Sequence, residues 1–463
     1  MPRFWMTPGW PRFRVYLAAA AIASKFRKRE RSWSWRGCSA RGTATRRGRQ
    51  GALIHLDRAA VVEPRDPNVY WRRGDCHARL GDHERALANY HRALTLDPES
   101  IDGLVALGST LTSLGRPDEA LRYYDQAITL ASLSGAADLP RGWGVTTAPG
   151  HYRIRARGDA ARFGHSAGPQ AWKQFLHPPH RKLWSGGAGF TGDPAETAAP
   201  RYAFLGVRGC DLAAIGTLDR VLIGGAHRDE SYAARRGPAF VVAVDCTEPG
   251  DVCFCVSMGT GPQAGPGYDL KLTELVDGDD CRYVAEVGSP AGGEVLAAVP
   301  HDAASPPEIA RATGEVRDAA ERMDRRMPDT DLRTLLIESR DSPHWDDVAS
   351  RCLACGNCTM VCPTCFCTST EDVSDLTGEH AERWQHWASC FELDFSVIHQ
   401  GSVRQSGAAR YRHWITHKLG SWHDQFGMSG CVGCGRCIAW CPTGIDITAE
   451  MTALAEPARD DDD

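Results

Sequence analysis

Long apolar runs are missing from this 463-residue sequence. A membrane span needs roughly 18 consecutive apolar residues, and the longest candidate, Val15 to Ala23, falls far short of that. A chain without a membrane segment is expected. Also missing are an H-E-x-x-H helix, a G-x-x-x-x-G-K-[ST] loop and a nucleophile triad motif, which removes the usual zinc-peptidase, phosphate-loop and hydrolase chemistries. "GTGPQAGPG" (259–267) is rich in glycine but lacks the G-x-G-x-x-G register that follows a strand in dinucleotide sites. His386, His399, His413 and His417 sit in helical patterns and read as surface or packing groups. No residue is assigned a catalytic role.

Acid is nearly absent from residues 1–50, which hold 13 Lys and Arg against one Glu and leave 40 basic and 57 acidic residues to the remainder. An acidic body disfavours nucleic acid as a ligand, because phosphate contacts demand Lys and Arg. Partner proteins are the expected contacts. The basic segment 1–50 has three readings: a leader around "VYLAAAAIA", a disordered arm, or residues foreign to the ancestral protein. The run "KFRKRERSWSWR" after so short an apolar stretch argues against secretion, and a disordered segment is expected.

What the sequence does have is a period. Gly74, Leu80, Gly81, Ala86, Tyr90 and Ala93 recur 34 residues later as Gly108, Leu114, Gly115, Ala120, Tyr124 and Ala127, the tetratricopeptide spacing. Small residues let two helices of a hairpin approach, Tyr90 and Tyr124 are expected to fill the gap between hairpins, and Pro98 ends the unit. Counting back one period aligns Ala86 with Ala52, Ala93 with Ala59 and Pro98 with Pro64, so a second helix of an earlier repeat is expected at 51–63. Its first helix would occupy 33–46, where no apolar face exists.

The expected fold class is multidomain: α-helical tetratricopeptide repeats (51–134), an α/β or α+β middle domain (135–305), and a mainly α-helical two-cluster ferredoxin domain (306–455) with an acidic tail (456–463). "RYAFLGV" and "AFVVAVDC" read as buried strands, with "DLAAIGTLDRVL" a helix following the first. "EIARATGEVRDAAERMDRRM", "HWDDVASRC", "GEHAERWQHWASCFELDF" and "ARYRHWITHKL" read as helices.

Eighteen cysteines in so long a chain, grouped by C-x-x-C spacing, point to metal ligation rather than to the disulfide framework of a small secreted domain. Thiolates of this kind favour a reducing compartment, so a cytoplasmic protein is expected. "CLACGNCTMVCP" (352–363) and "CVGCGRCIAWCP" (431–442) share one spacing. In ferredoxins of this pattern a tight loop supplies three thiolates to a [4Fe–4S] cube, and the cysteine before proline reaches the neighbouring cube. The spacing therefore predicts two [4Fe–4S] clusters. With a ligand exchange, one rests on Cys352, Cys355, Cys358 and Cys441 and the other on Cys431, Cys434, Cys437 and Cys362; the unexchanged pairing is the alternative.

Cys210, Cys246, Cys253 and Cys255 fall at strand ends or in loops. They are read either as ligands of a third iron–sulfur cluster, since the ends of adjacent parallel strands converge, or as buried apolar residues. Cys365, Cys367 and Cys390 are read either as ligands of a further cluster with a non-cysteine fourth ligand or as a shield for the first one. Cys38, Cys76 and Cys281 read as unligated.

From about residue 136 the chain resembles the 4Fe–4S dicluster family that includes the β subunits of cytoplasmic sulfhydrogenase-type nickel–iron hydrogenases and the A subunit of anaerobic sulfite reductase. The resemblance rests on "ADLPRGW", "GHYRIR", "GPQAWKQFLHPP", "FLGVRGCDLAAI", "DESYAARR", "CFCVSMGTGP", "YDLKLTEL", "RCLACGNCTMVCPTCFC" and "CVGCGRCIAWCP". It implies an electron-transfer subunit between a flavin- and NAD(P)-binding reductase subunit and a hydrogenase or sulfite-reductase module, with hydrogenase preferred. The middle-domain cysteines lie in motifs of that family. The tetratricopeptide repeats are a departure from it and raise the expectation of a bound peptide. Two other classes remain open on sequence: a repeat-based interaction protein with structural or redox-sensing clusters, and an enzyme with flavin in the middle domain.

Overall fold

The computed structural model describes residues 14–20, 53, 56–60, 66–80, 82–96, 128–166, 168–187, 192–194, 199–375, 377, 379–399 and 401–456. The second repeat hairpin (Gly108 to Ala127), Cys38 and residues 457–463 of the acidic tail lie outside them. The chain divides into two compact units, residues 21–127 and residues 1–20 with 128–463.

In the first unit helix α1 (Pro67–Leu80) and helix α2 (His83–Leu96) pack as a hairpin. Ala86 and Ala93 are buried, and Tyr90, 2 % exposed, lies so close to Gly74 that a Cβ there would meet the ring at 2.4 Å. The tyrosine hydroxyl donates to Asp75 Oδ1 at 2.9 Å. Tyr90 thus fills space inside its own hairpin, against Gly74 and Asp75, where the sequence pattern places it between hairpins. Residues 56–60 are helical, within the stretch where a helix of an earlier repeat is expected.

The second unit holds, in chain order, strands β1 (Arg14–Ala20), β2 (Ile128–Ser132), β3 (Trp143–Ala148), β4 (His151–Ala156), β5 (His180–Gly187), β6 (Gly192–Pro194), β7 (Tyr202–Val207), β8 (Phe240–Val244), β9 (Leu270–Asp277), β10 (Asp280–Val287), β11 (Thr368–Ser374) and β12 (His380–Trp387). A mixed sheet runs β10–β9–β8–β7–β1–β2, with β1, β7, β8 and β9 parallel to their neighbours in turn and both edges antiparallel. Near-continuous apolar sequence in β7 and β8 suits strands covered on both faces. Helix α3 (Gly209–Leu222) leaves β7 directly and buries Leu212, Ile215 and Leu218 against Phe204, Val207 and Tyr232.

Three expectations are corrected. Arg14–Ala20, inside the segment expected to be disordered, is β1: its sequence RVYLAAA carries one charge at its edge and can pair on both sides. Ile128–Ser132, expected within the repeats up to residue 134, is β2, because its backbone pairs with β1. His380–Trp387, expected to be helical, is β12, paired with β11 and β5 in a four-stranded sheet of order β11–β12–β5–β6. Cross-strand partners decide this last case: the Trp384 ring stacks on His180 of β5 at 4.5 Å and 7°.

Helix α4 (Pro306–Glu321) follows the sheet, capped by Ser305 and Glu308. Five further helices, α5 (His344–Arg351), α6 (Asn357–Met360), α7 (Gly407–Ile415), α8 (Arg436–Ala439) and α9 (Ile447–Ala455), surround the cysteine motifs, and α7 continues into a wide π-helical turn, Thr416–Ser421. Their core includes Trp345, Val348, Tyr411, Trp414, Ile415, Leu419, Ile438, Ile447 and Met451, and also Val252 and Phe254 from the middle region. One core therefore serves both regions. Among the described residues no helix is long and apolar enough to cross a membrane.

Candidate metal centre

Both cysteine motifs fold alike. Cys352 closes α5 and the chain loops through Ala354 (φ 49°) and Gly356 (φ 75°) into α6; in the second motif Gly433 (φ 64°) and Gly435 (φ 72°) make the same loop into α8. Two left-handed residues curl the backbone around a common point, which is where glycine's freedom is needed. The curl turns amides onto sulfur: Ala354 N–H donates to Cys352 Sγ at 3.4 Å, Gly433 N–H to Cys431 Sγ at 3.5 Å and Ile445 N–H to Cys441 Sγ at 3.3 Å. Such bonds favour the thiolate.

Cys352, Cys355, Cys358, Cys437 and Cys441 line one cavity, with Phe391, Tyr411, Trp414, Ile445 and Ile447 as its apolar wall. Three of these thiols come from the first motif and two from the second, and of those two Cys437 is borne on first by Cys431, Cys434 and Cys362 and only then by Cys358. Cys362 lies instead where its charge bears on Cys431, Cys434 and Cys437 together. Burial pushes the Cys431 thiol up to about 12 and those of Cys358 and Cys437 well above the ordinary range, and the neighbouring cysteines push further. Crowded, buried thiols of this kind ionise when a cation joins them, which is the condition a metal cluster supplies.

Lys418 tests that fit. Its side chain is buried in the π-helical turn, and Nζ donates to Cys362 Sγ at 3.4 Å, Thr364 Oγ1 at 3.1 Å and the Gly430 carbonyl at 3.1 Å. Among the described residues no carboxylate pairs with it. A buried ammonium requires an anion, and the sulfur of Cys362 is the group placed to be one. Burial alone would lower the Lys418 pKa; Cys362, Cys365 and Cys431 outweigh it and hold the pKa raised. Reciprocally, the Cys362 thiol is held well below its usual range, first by a hydrogen bond with Cys365 and then, against burial, by Lys418, Thr364 and Lys173. The donor set fits a group that keeps Cys362 as a thiolate.

The middle region adds a third collection of sulfur. Cys210 opens α3 beyond β7, Cys246 follows β8, and Cys253 and Cys255 occupy the turn after it. Cys255 feels Cys253, Cys246 and Cys434, while Cys210 feels Cys255 and Cys434. Burial pushes Cys253 up to about 12. All four therefore gather beside the second motif. The approach is close: Phe254 N–H donates to the Gly433 carbonyl at 2.9 Å, the Thr260 hydroxyl to the Val432 carbonyl at 2.6 Å, and Arg436 pairs with Asp211 at 2.9 Å, both side chains being at most 3 % exposed. A Cβ on Gly261 would stand 2.8 Å from Cys255 Sγ. Arg208 Nη1 lies 3.8 Å from Cys246 Sγ.

Cys365 sits beside Cys362, and Cys390 is buried within reach of Cys367 and Cys358. Cys281 stands apart on β10, with its thiol donating to Glu274 at 3.2 Å. Sequence reasoning missed the buried cations Lys418, Lys173, Arg208 and Arg436. For Lys418 a signal existed: it lies four residues after Trp414, on the helical stripe of Tyr411, Trp414 and Ile415, where a charge has no place in an ordinary core.

Residues 351–445 match the 4Fe–4S dicluster domain family, and residues 66–133 match the tetratricopeptide repeat. The sulfhydrogenase 2 subunit beta of Pyrococcus furiosus is 32 % identical over 259 residues, covering 55 % of this chain and 75 % of that protein. Among solved structures, MamA is 25 % identical over 17 % of this chain and 42 % of its own, with a TM-score of 0.16, and MamA AMB-1 is 27 % identical over 17 % and 43 %, with a TM-score of 0.17. The chain spans less than half of either MamA structure.

Proposed function

The chain belongs to the family of sulfhydrogenase β subunits, and from that premise we propose that this iron–sulfur electron-transfer subunit serves a cytoplasmic nickel–iron hydrogenase complex, between a flavin- and NAD(P)-binding reductase subunit and the hydrogenase module. The identity to a sulfhydrogenase subunit favours this partner over a sulfite reductase. In this reading Cys352, Cys355, Cys358 and Cys441 hold one [4Fe–4S] cluster, and Cys431, Cys434, Cys437 and Cys362 hold the second. Bound clusters of this kind accept and release single electrons.

The observation that supports the ligand exchange is the cavity in which Cys441 of the second motif meets Cys352, Cys355 and Cys358 of the first, while Cys437, which also reaches it, has Cys431, Cys434 and Cys362 as its foremost neighbours. The residues divide the remaining work. Phe391, Tyr411, Trp414, Ile445 and Ile447 form the apolar inner wall of that cavity, whose other side opens at Cys355, while backbone amides orient the sulfurs. Cys210, Cys246, Cys253 and Cys255 would hold a third cluster, for which their gathering beside Cys434 is the support. The repeats would bind a peptide of a partner.

Anaerobic purification with iron and acid-labile sulfide analysis tests the reading. About 12 iron atoms per chain are expected, at four per cluster, falling to about 8 in the Cys210→Ser, Cys253→Ser double variant. Zinc without sulfide overturns the whole reading; about 8 iron atoms in the unaltered chain overturns the third centre alone.

A further inference from the structure

The two centres of the ferredoxin region differ in one respect that the cysteine spacing does not reveal. Around Cys362 stands a buried cation, Lys418, with three acceptors for its three N–H groups: Cys362 Sγ, Thr364 Oγ1 and the Gly430 carbonyl. An ammonium has three protons to give, and each is placed. Thr364 completes the arrangement: its hydroxyl donates to the same Gly430 carbonyl at 2.6 Å, which leaves its lone pair facing Lys418. A second buried lysine, Lys173, donates to the Cys365 carbonyl at 2.8 Å and lies 3.8 Å over the Trp387 ring, so it adds positive charge along the run from Cys362 to Cys367.

The cavity of Cys352, Cys355, Cys358 and Cys441 has a different wall, of aromatic and aliphatic side chains. The cation whose charge reaches Cys352 is Arg410, and its guanidinium is bonded to the carbonyls of Arg404 and Gln405 and to no sulfur. Cys355 is exposed, whereas Cys362 is buried. Among the described residues, one centre thus meets solvent at Cys355 with no buried cation bonded to its sulfurs, and the other is inward and carries Lys418.

We propose that Lys418, seconded by Lys173, raises the reduction potential of the cluster bound through Cys362 above that of the cluster bound through Cys352, Cys355, Cys358 and Cys441, so that an electron entering at the exposed centre settles inward. This rests on the ligand assignment proposed above. Reduction adds one negative charge to a cluster. A buried, unscreened cation stabilises the reduced form more than the oxidised one, and a hydrogen bond to a ligand sulfur acts in the same direction. One electron moves, taken from the reductase subunit or, in the test, from dithionite. Lys418 keeps its proton and no bond breaks. Lys418 is a positioning residue for charge and does not itself exchange electrons.

The experiment is an anaerobic redox titration of the full chain followed by paramagnetic resonance, with iron and sulfide measured on every sample. Lys418→Gln, which keeps an N–H donor and removes the charge, is expected to retain iron and to move one signal downward by a tenfold or larger change in its reduction equilibrium, about 59 mV for one electron, while the other signals hold. Lys418→Arg should restore most of the shift, which a purely structural role for the lysine would not require. Lys173→Met, whose contact is to a carbonyl rather than to sulfur, supplies a second arm should Lys418→Gln lose iron: the same signal is expected to fall by a smaller amount. Unchanged potentials in an iron-replete variant, or an equal shift of every signal, overturn the proposal. Cys362→Ser separates this failure from that of the ligand assignment, because unchanged signals and iron content there would reject the assignment itself.

Discussion

Gly433 and Ala354 occupy the same place in two copies of one loop, both with positive φ, yet only one of them must be glycine. A Cβ on Gly433 would stand 2.6 Å from Cys255 Cα, Cys255 N and the Phe254 carbonyl, all backbone atoms that cannot swing aside. Gly433→Ala combines that overlap with left-handed strain, a loss of about 2–5 kcal/mol. We expect it to lower the anaerobic unfolding temperature and the iron content together. Ala354→Gly relieves strain and crowds nothing, so it should alter stability by no more than about 1 kcal/mol. Thermal unfolding of both variants decides, and equal losses would contradict the account. The cysteines were legible in the sequence because their spacing is fixed by a tight loop. The crowding at Gly433 was not, because the backbone that presses on it lies about 180 residues earlier in the chain.

At the scale of elements the hairpin of β11 and β12 shows how tertiary partners override local pattern. "HAERWQHW" has no decisive period, and what makes it a strand is β5, whose His180 receives the Trp384 ring. Trp387, the last residue of β12, donates its indole N–H to the His177 carbonyl at 3.0 Å, and its ring stacks on the imidazole. His177 is itself buried, so burial, with Lys173 adding to it, pushes its pKa down to about 4. The unfolded chain binds that proton near pH 6.5 and the folded chain does not. Stability from this group is therefore complete above pH 6.5 and is lost as pH falls toward 4, by roughly 3 kcal/mol at 1.36 kcal/mol per pKa unit. His177→Phe should flatten the acid limb of a stability-against-pH curve over that window. An unchanged slope would show that another group governs it. By contrast, β7, α3 and β8 were legible because a buried parallel strand and an amphipathic helix each carry their own pattern, whereas β1 and β2 depend on each other's backbone.

In the second unit the middle domain and the C-terminal ferredoxin-like region, which the sequence separates by a change of pattern near residue 305, form one compact unit with a shared core, and we expect them to unfold together. Val252 and Phe254 belong to the core of the C-terminal helices, and the ion pair of Arg436 with Asp211 joins α8, in the second cysteine motif, to the start of α3. Arg436 also donates to the Gly168 carbonyl at 3.1 Å. Asp211 and Cys210 are neighbours, so this pair, with the Phe254–Gly433 and Thr260–Val432 hydrogen bonds, holds the middle-region cysteines against the second motif. Removing a single partner strands a buried charge and costs about 3–5 kcal/mol, whereas a pair replaced on both sides by apolar groups loses far less. Asp211→Asn is therefore expected to lower the main unfolding transition measured by calorimetry, with the region around Cys210 and the helices around Cys431 still melting together. The Asp211→Leu, Arg436→Met double variant should recover much of the loss. Two separate transitions in the unaltered residues 128–463, or a double variant as damaged as the sum of the singles, would mean that the two regions fold independently and that this pair is not what binds them.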